Sequence, residues 1–107
     1  MAYDYTVLAG TQGLWSHRKL DRCLEIAARH LLPVVFFCEG GGGRPSDTDA
    51  NLVTGGSLIT DSFLRLARLS GSVPLVGIAS GYVFAGNAAL LSCCDVVIAT
   101  RSSNIGM

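Results

Sequence analysis

The pattern of apolar and polar residues divides the chain into short apolar runs separated by amphipathic segments. Residues 5–10, 33–39, 73–80 and 95–100 are the apolar runs, and their length predicts four strands. The run at 33–39 is apolar throughout and does not alternate, which is typical of a strand covered on both faces.

Three amphipathic segments lie between these runs and predict helices. In residues 16–32, leucine and alanine recur with the helical period, Ser16 is a candidate N-cap, and Pro33 ends the element. The second helix is predicted to begin at Asp61 and to end at Gly71. The third is a short helix that follows a tight turn and begins near Gly86.

The order of these elements predicts an α/β fold. Strands that alternate with helices imply right-handed βαβ crossovers and a largely parallel sheet with helices packed on it. Residues 40–60 form a polar, glycine-rich stretch between the second strand and the second helix. Loops of about 20 residues are uncommon in compact domains and are usually functional or disordered.

Composition narrows the function classes. The chain has 107 residues, of which 50% are hydrophobic and 15% charged, so it holds one domain at most, or part of one. A net charge of +0 argues against a nucleic-acid partner. No apolar run approaches the roughly 20 residues of a membrane helix. The start of the sequence lacks the pattern of a signal peptide, so we expect a cytoplasmic protein.

The cysteines do not indicate a metal site. Cys23, Cys38, Cys93 and Cys94 form no C-x-x-C pair, and neither histidine lies near paired thiols. We therefore expect no metal in this segment. Reduced cysteines in apolar segments are expected to act as small core residues.

The sequence does not match three common motifs for nucleotide binding or nucleophilic catalysis. Arg44 and Pro45 follow Gly43 where a P-loop has Lys and Ser or Thr, and the dinucleotide fingerprint lacks its third glycine. Ser80 stands one residue too late for a nucleophile elbow.

Two glycine turns remain, "EGGGGR" after the second strand and "VFAGN" after the third. Ligands bind outside the carboxyl ends of parallel strands, so the two turns are expected to converge over one cleft. Their unblocked N–H groups, with those at the start of the helix near Gly86, are suited to an oxyanion hole, where each donor is worth about 3–4 kcal/mol. The pattern alone favours the alternative, a flexible loop and a plain tight turn.

At these turns the chain resembles a known family. The stretches "EGGGGRPSDTD" and "PLVGIASGYVFAGNAALLSCCDVVIATRSSNIGM" look like the N-terminal half of the carboxyltransferase domain of biotin-dependent acyl-CoA carboxylases, such as those for acetyl-CoA and propionyl-CoA. The resemblance covers nearly the whole chain. It implies a crotonase-like (ClpP-like) fold of ββα units, with residues 1–107 an incomplete domain that continues beyond Met107.

The resemblance also implies a set of site residues. The family pattern Ser-Gly-Gly-Ala-Arg falls on residues 40–44, with Gly40 in place of Ser and Gly43 in place of Ala. The second turn of the family, usually Gly-Gly, falls on Ala85 and Gly86. The implied main-chain donors to the thioester oxygen and its enolate are Gly42, Gly43, Ala85 and Gly86. The residues expected to contact acyl-CoA are Gly41, Arg44, Arg18 and Lys19.

Several charged residues have two interpretations. Arg44 either hydrogen-bonds carbonyl groups of the glycine turn, which we favour, or faces a CoA phosphate. Arg18 and Lys19 stand at the front of the first helix, where basic residues oppose the dipole; they either bind phosphate or, as we favour, form a solvated face. Glu39 is either a base or, as we favour, a strand-end carboxylate that is solvated or paired with Arg44.

The reaction implied by the resemblance is transfer of a carboxyl group from carboxybiotin, held on a carrier protein or domain, to the α-carbon of an acyl-CoA of the acetyl or propionyl type. The biotin ureido group freed of CO2 can take the α-proton, so no side-chain base is needed. The implied partners are a C-terminal carboxyltransferase half, a biotin carboxyl carrier, a biotin carboxylase and further copies of the chain. No nucleic acid or membrane partner is expected.

Two rival interpretations stay open. The first is another crotonase-type acyl-CoA enzyme, such as a decarboxylase or a hydratase, although a hydratase needs carboxylates near the second turn and none lies between Tyr82 and Cys94. The second is a truncated, non-catalytic chain. By itself the segment is expected to be inactive as a transferase.

Overall fold

The computed structural model describes residues 1–44 and 60–107 and shows an α/β fold in these ranges. The helices are α1 (Leu14–His30), α2 (Ser62–Leu69) and α3 (Gly86–Ser92). The strands are β1 (Val34–Phe37), β2 (Leu75–Ala79), β3 (Tyr82–Phe84), β4 (Val96–Ala99) and β5 (Asn104–Gly106).

Three of the predicted strands form one parallel sheet in the order β1-β2-β4. The register aligns Val35 with Val76 and Val96, and Phe37 with Ile78 and Ile98. Parallel neighbours joined through helices are the arrangement that the alternation of elements predicts. The predicted α/β class with a largely parallel sheet is therefore confirmed.

The core lies on one face of this sheet. Val34, Phe36 and Leu75 point into a cluster that includes Leu24 of α1 and Leu66 of α2. The opposite face is apolar but open: in β1, Val35 is 45% exposed and Phe37 44% exposed. The prediction that residues 33–39 are covered on both faces is wrong for the part of the chain that the structure describes, because its helices pack on one side.

A second, smaller sheet pairs β3 with β5 in parallel. Gly40 adds a bridge on the other side of β3, where its N–H donates to Tyr82 O at 2.8 Å and its carbonyl accepts from Phe84 N–H at 2.9 Å. The chain therefore leaves the first sheet after β1 and joins the second one at Gly40.

The strand predicted for residues 5–10 does not form. These residues make a turn and a short 3₁₀ helix, Leu8–Gly10, in which Leu8 and Ala9 have φ values of +48° and +54°. Such positive values are incompatible with an extended strand. Asp4 starts the turn by accepting the N–H of Thr6 at 3.0 Å, and Ala2 already bridges to Phe37 beside β1.

The helix bounds differ from the predictions mainly at the start of α1. Ser16 is not the N-cap but the third helical residue, and its hydroxyl oxygen accepts the N–H of Gly13, the true N-cap, at 2.9 Å. The predicted starts at Asp61 and Gly86 are confirmed, with Asp61 as the N-cap of α2. Most of the predicted loop over 40–60 lies outside the described residues.

Candidate active site at the two glycine turns

The first glycine turn (residues 40–44) and the second glycine turn (residues 84–87) are in direct contact. Gly42 has a φ of +87°, and a Cβ built on it would stand 2.6 Å from Ala85 Cβ and 3.2 Å from Gly86 N. A Cβ on Gly40 would overlap the side chain of Asn87. Glycine is needed at both positions because two backbone segments and a helix start share one small volume.

The N–H groups of the first turn are mostly engaged within the protein. Gly40 donates to β3, and Gly41 N–H donates to Ala9 O at 3.0 Å. Gly42 N–H donates to Asn87 Oδ1 at 3.0 Å. In residues 1–44 and 60–107, Gly43 N–H has no hydrogen-bond acceptor. A Cβ on Gly43 would meet no atom within 4 Å, so the space beside it is open.

In the second turn, too, one N–H group is bonded within the protein and one has no acceptor in the described residues. Ala85 N–H donates to Gly106 O at 2.9 Å, which fixes the turn to the end of β5. Gly86 N–H, at the first position of α3, has no acceptor within the described ranges. Of the four donors that the resemblance implies, Gly42 and Ala85 are thus engaged internally, and Gly43 and Gly86 remain available.

Ala85 stores backbone strain at this site. Its φ of +47° and ψ of −119° are unusual for a residue with a Cβ. Such conformations cost of the order of 1–3 kcal/mol and persist where the surroundings enforce them. The hydrogen bond to Gly106 and the packing against Gly42 hold this conformation.

Two buried residues at the site were missed by the sequence analysis. Asn87 Nδ2 lies 3.2 Å from Cys38 O and 3.4 Å from Glu39 O, so its side chain joins α3 to the end of β1. Gln12 N–H donates to Gly42 O at 2.7 Å, and Gln12 O accepts from Arg44 N–H at 2.9 Å. An amide within the apolar sequence "GNAALLS" was the available signal for Asn87.

Glu39 is held by the start of the β2–β3 connection. Its Oε1 accepts from Ser80 N–H at 2.5 Å and from the Ser80 hydroxyl at 2.8 Å. Burial acts to raise the pKa of Glu39, but these hydrogen bonds and further backbone donors hold the pKa below its usual value. The structural interpretation is supported, although the partner is Ser80 and not Arg44.

Arg44 has a structural role, as we favoured, but its guanidinium bonds to Thr11, where the prediction named carbonyl groups of the glycine turn. Its Nη2 donates to Thr11 O at 3.1 Å and its Nε to Thr11 Oγ1 at 3.2 Å. Arg44 and Lys19 line one cavity of about 530 Å³. Arg18 instead lies over the Trp15 ring, with its guanidinium carbon 4.9 Å from the ring centroid.

The remaining nucleophile candidates are structural. Burial raises the pKa of Cys38 to about 12 and also raises the pKa of Cys94, so both thiols stay protonated at neutral pH. His17 Nδ1 lies 2.9 Å from Ser62 Oγ, which donates to Asp21 Oδ1 at 2.5 Å. These contacts join α1 to α2.

The described ranges offer neither a cluster of metal ligands nor a membrane-spanning helix. Residues 1–44 and 60–107 contain no group of three or more His, Cys, Asp or Glu side chains placed to hold a metal ion. No helix in the described part of the chain is both long and apolar enough to cross a bilayer.

Comparison with known proteins identifies the relatives. No protein family profile matches the chain. The uncharacterized carboxylase YngE of Bacillus subtilis is 32% identical over 98 residues, which are 92% of this chain and 19% of that protein. The probable biotin-dependent acyl-coenzyme A carboxylase beta2 subunit of Mycobacterium tuberculosis is 32% identical over 99 residues. The chain is homologous to part of the biotin-dependent acyl-CoA carboxylases.

Solved carboxylase structures share the fold. A single-chain, multi-domain long-chain acyl-CoA carboxylase is 57% identical, with a TM-score of 0.84 over 99% of this chain. The β subunit of Pseudomonas aeruginosa geranyl-CoA carboxylase and the transcarboxylase 12S subunit each give 26% identity and a TM-score of 0.76. The resemblance to carboxyltransferases and the crotonase-type fold are therefore confirmed. The chain spans 18–19% of the length of the curated relatives.

Proposed function

We propose that this chain forms the acyl-CoA side of a carboxyltransferase active site. The observation that carries the proposal is the contact between the two glycine turns, with Gly43 N–H and Gly86 N–H left without acceptors in the described residues. Homology to acyl-CoA carboxylases supplies the reaction class.

In the proposed reaction, the thioester oxygen of the acyl-CoA accepts hydrogen bonds from Gly43 and Gly86. Loss of the α-proton places negative charge on this oxygen, and the two donors stabilise the resulting enolate more strongly than the neutral thioester. The proposed donor is carboxybiotin, which would release its carboxyl group as CO2 by cleavage of the N–C bond and leave a ureido nitrogen able to accept the α-proton. The α-carbon of the enolate would then form a C–C bond to that CO2.

The chemistry of the side chains near the turns fits an external proton acceptor. Glu39 is the carboxylate adjacent to the first turn, and its hydrogen bonds to Ser80 lower its pKa and both occupy its Oε1. A general base works best with a pKa near the operating pH, which is the opposite of this shift. In this proposal the described residues bind and polarise the acyl-CoA, and the biotin ureido nitrogen accepts the α-proton.

We propose that the CoA moiety binds in the cavity beside the first turn. Lys19 and Arg44 line this cavity together with the acidic Asp4, and Gly41 is exposed in the turn. Arg18 extends the basic surface next to Trp15. Cationic side chains around a cavity favour phosphate groups, of which CoA carries three.

The acceptor of the carboxyl group is an acyl-CoA whose acyl chain has two candidate classes. The sequence resemblance implies an acetyl-CoA or propionyl-CoA type, whereas the relative at 57% identity is a long-chain acyl-CoA carboxylase. We propose an acyl-CoA acceptor, and a panel of acyl-CoA substrates determines which acyl chain length is preferred. Acetyl-CoA, propionyl-CoA and palmitoyl-CoA, each with a carboxybiotin donor, discriminate the two classes by their relative kcat/KM.

The partners follow from the same reaction. We propose that the complete protein works in the cytoplasm as a homo-oligomer with a C-terminal carboxyltransferase half, a biotin carboxyl carrier and a biotin carboxylase. The relatives support this by their names: one is a beta2 subunit of a biotin-dependent carboxylase, and transcarboxylase 12S is described as a hexamer.

A second candidate function is decarboxylation. The chain is 26% identical to a chain of the Pseudomonas malonate decarboxylase MdcD–MdcE heterodimer, with a TM-score of 0.79, and covers 48% of that chain. Loss of CO2 from a malonyl thioester forms the same type of enolate, so the same two donors would serve. The separating experiment follows CO2 release from a malonyl thioester and biotin-dependent carboxylation of an acyl-CoA, both in the protein that contains this segment. Carboxylation supports the first proposal, and decarboxylation without carboxylation overturns it.

A further inference from the structure

Asn87 is a buried polar side chain whose hydrogen bonds all go to the first glycine turn and the end of β1. Its Oδ1 accepts from Gly42 N–H, and its Nδ2 faces the carbonyl oxygens of Cys38 and Glu39. The residue has no exposed surface. An amide is costly to bury unless its polar atoms are bonded, and here both the oxygen and the nitrogen have partners.

The first glycine turn needs such an external support. Four consecutive glycines have no side chains that fix their own backbone, and each is more flexible than any other residue. An oxyanion donor must nevertheless stay 2.7–3.1 Å from the developing charge. The bond from Gly42 to Asn87 fixes the peptide group next to the one that carries Gly43 N–H.

Asn87 also follows Gly86 directly in sequence. One residue therefore connects both candidate donors: its side chain holds the turn that carries Gly43 N–H, and its own backbone continues from Gly86. We propose that Asn87 is a positioning residue that keeps Gly43 N–H and Gly86 N–H aimed at one oxygen. This inference rests on the proposed oxyanion site and adds a side chain that fixes its geometry.

The amide group suits this role better than a carboxylate. Asparagine provides an acceptor for Gly42 and donors for two carbonyls without adding charge. An ionised aspartate would keep the acceptor but would face the Cys38 and Glu39 carbonyl oxygens with a negative charge. It would also place that charge one residue from Gly86, where the enolate is proposed to form.

The test uses the protein that contains this segment with three variants. Asn87→Ala removes the hydrogen bonds between the Asn87 amide and the first glycine turn, and Asn87→Asp keeps the acceptor and adds charge. Leu66→Ala is the control for lost stability, because Leu66 is fully buried in α2. The measurements are kcat and KM for the acyl-CoA, the melting temperature and residue-resolved amide hydrogen exchange at Gly42.

We expect Asn87→Ala to lower kcat by about 10²-fold with KM changed less than about threefold, since the loss lies in transition-state geometry. Exchange at Gly42 becomes faster, and Asn87→Asp loses at least as much kcat. Leu66→Ala lowers the melting temperature and keeps kcat within about threefold of wild type at a temperature where it is folded.

Three outcomes overturn the inference: wild-type kcat in a folded Asn87 variant, unchanged amide exchange at Gly42 in Asn87→Ala, or an equal loss of kcat in Leu66→Ala. If Asn87→Ala does not fold, Asn87→Asp decides in the same way. A wild-type protein that binds no acyl-CoA and carboxylates none contradicts the proposed function instead. In that case the amide exchange measurement still reports on the hydrogen bond from Gly42 N–H to Asn87 Oδ1.

Discussion

Gly42 and Ala85 lie so close together that no side chain fits at Gly42. A Cβ there would stand 2.6 Å from Ala85 Cβ and 3.1 Å from Phe84 O, and the φ of +87° at Gly42 disfavours any residue with a Cβ. The two glycine turns, 43 positions apart in sequence between Gly42 and Ala85, are joined at this contact. The proposed site rests on this contact, which places Gly86 N 3.2 Å from a Cβ built on Gly42, the residue before Gly43.

Replacing Gly42 with alanine is therefore expected to separate the turns. The new Cβ cannot be accommodated without moving Ala85, and strain at such a φ costs about 1–3 kcal/mol. We expect carboxylation turnover to fall by at least about 10²-fold, because a shift of about 1 Å in a donor has effects of this size. Steady-state kinetics and thermal denaturation of Gly42→Ala measure the two consequences.

Gly43→Ala is the matched control for that substitution. No atom of the described residues lies within 4 Å of a Cβ built on Gly43, and the alanine variant keeps the N–H of this residue. We expect turnover within about threefold of wild type, since a donor is neither removed nor displaced. Equal damage from both substitutions would show that the glycine stretch is sensitive for a reason other than the contact with Ala85.

The donor role of Gly86 is tested by removing its hydrogen. Gly86→Pro deletes the N–H at the first helical position, where proline is otherwise tolerated. We expect turnover to fall by about 10²–10³-fold. A Cβ at this position would approach Gln12 Oε1 to 2.5 Å, so proline also introduces a steric effect.

Gly86→Ala separates these two effects. It introduces the same Cβ against Gln12 but keeps the N–H. The ratio of turnover between the alanine and proline variants isolates the hydrogen bond and is expected to be about 10-fold or more. A ratio near one, with both proteins folded, removes Gly86 from the list of donors.

The sequence predicted the parts of this fold that depend on local pattern. The apolar runs at β1, β2 and β4 and the helical period of α1 were readable from their local sequence pattern. In β1, β2 and α1 this pattern buries a regular set of side chains, whereas the residues of β4 are exposed. The starts at Asp61 and Gly86 were also found. The three-residue strands β3 and β5 were not, because so short a strand is stabilised by pairing with distant residues and leaves little pattern of its own.

The candidate site was predictable in outline for a similar reason. Two glycine turns after successive parallel strands indicate a shared edge, and this expectation holds for Gly42 and Ala85. Which N–H groups stay available depends on Asn87 and Gly106, which bond to the turns from elsewhere in the chain. Hydrogen bonds between distant residues are not encoded by spacing, so this division could not be read from the sequence.

Glu39 is expected to stabilise the fold and not to act as the base. Its pKa is lowered in the folded protein, so its contribution is present above the unfolded value near 4.5 and is lost as the pH falls through the lower folded pKa. We expect Glu39→Gln to reduce the free energy of unfolding by about 1–2 kcal/mol at pH 7. The difference from wild type should disappear in acid, as chemical denaturation at several pH values measures.

The same variant decides the catalytic question for Glu39. We expect kcat for Glu39→Gln within about threefold of wild type and an unchanged pH profile, because no proton passes through this carboxylate. A folded variant with a loss of about 10³-fold or more would assign Glu39 as a base and would contradict the external proton acceptor.

Lys19 is expected to contribute to binding of the CoA moiety. It lines the cavity with Arg44, and a partly solvated contact with phosphate is worth about 1 kcal/mol. We expect Lys19→Gln to raise KM for acyl-CoA about fivefold with kcat nearly unchanged. Arg29→Gln, at the other end of α1 in an ion pair with Glu25, is the control and should leave KM unchanged. An unchanged KM in Lys19→Gln would show that Lys19 does not bind CoA and belongs to a solvated helix face.

The most direct measurement of the central claim is the infrared stretch of a thioester carbonyl labelled with ¹³C, in acyl-CoA bound to the protein that contains this segment. Hydrogen bonds from Gly43 and Gly86 weaken the C=O bond, so we predict a lower frequency for bound than for free substrate. The shift should persist in Gly86→Ala and shrink in Gly86→Pro. A carbonyl frequency that does not change on binding, or that changes equally in both variants, would contradict the account.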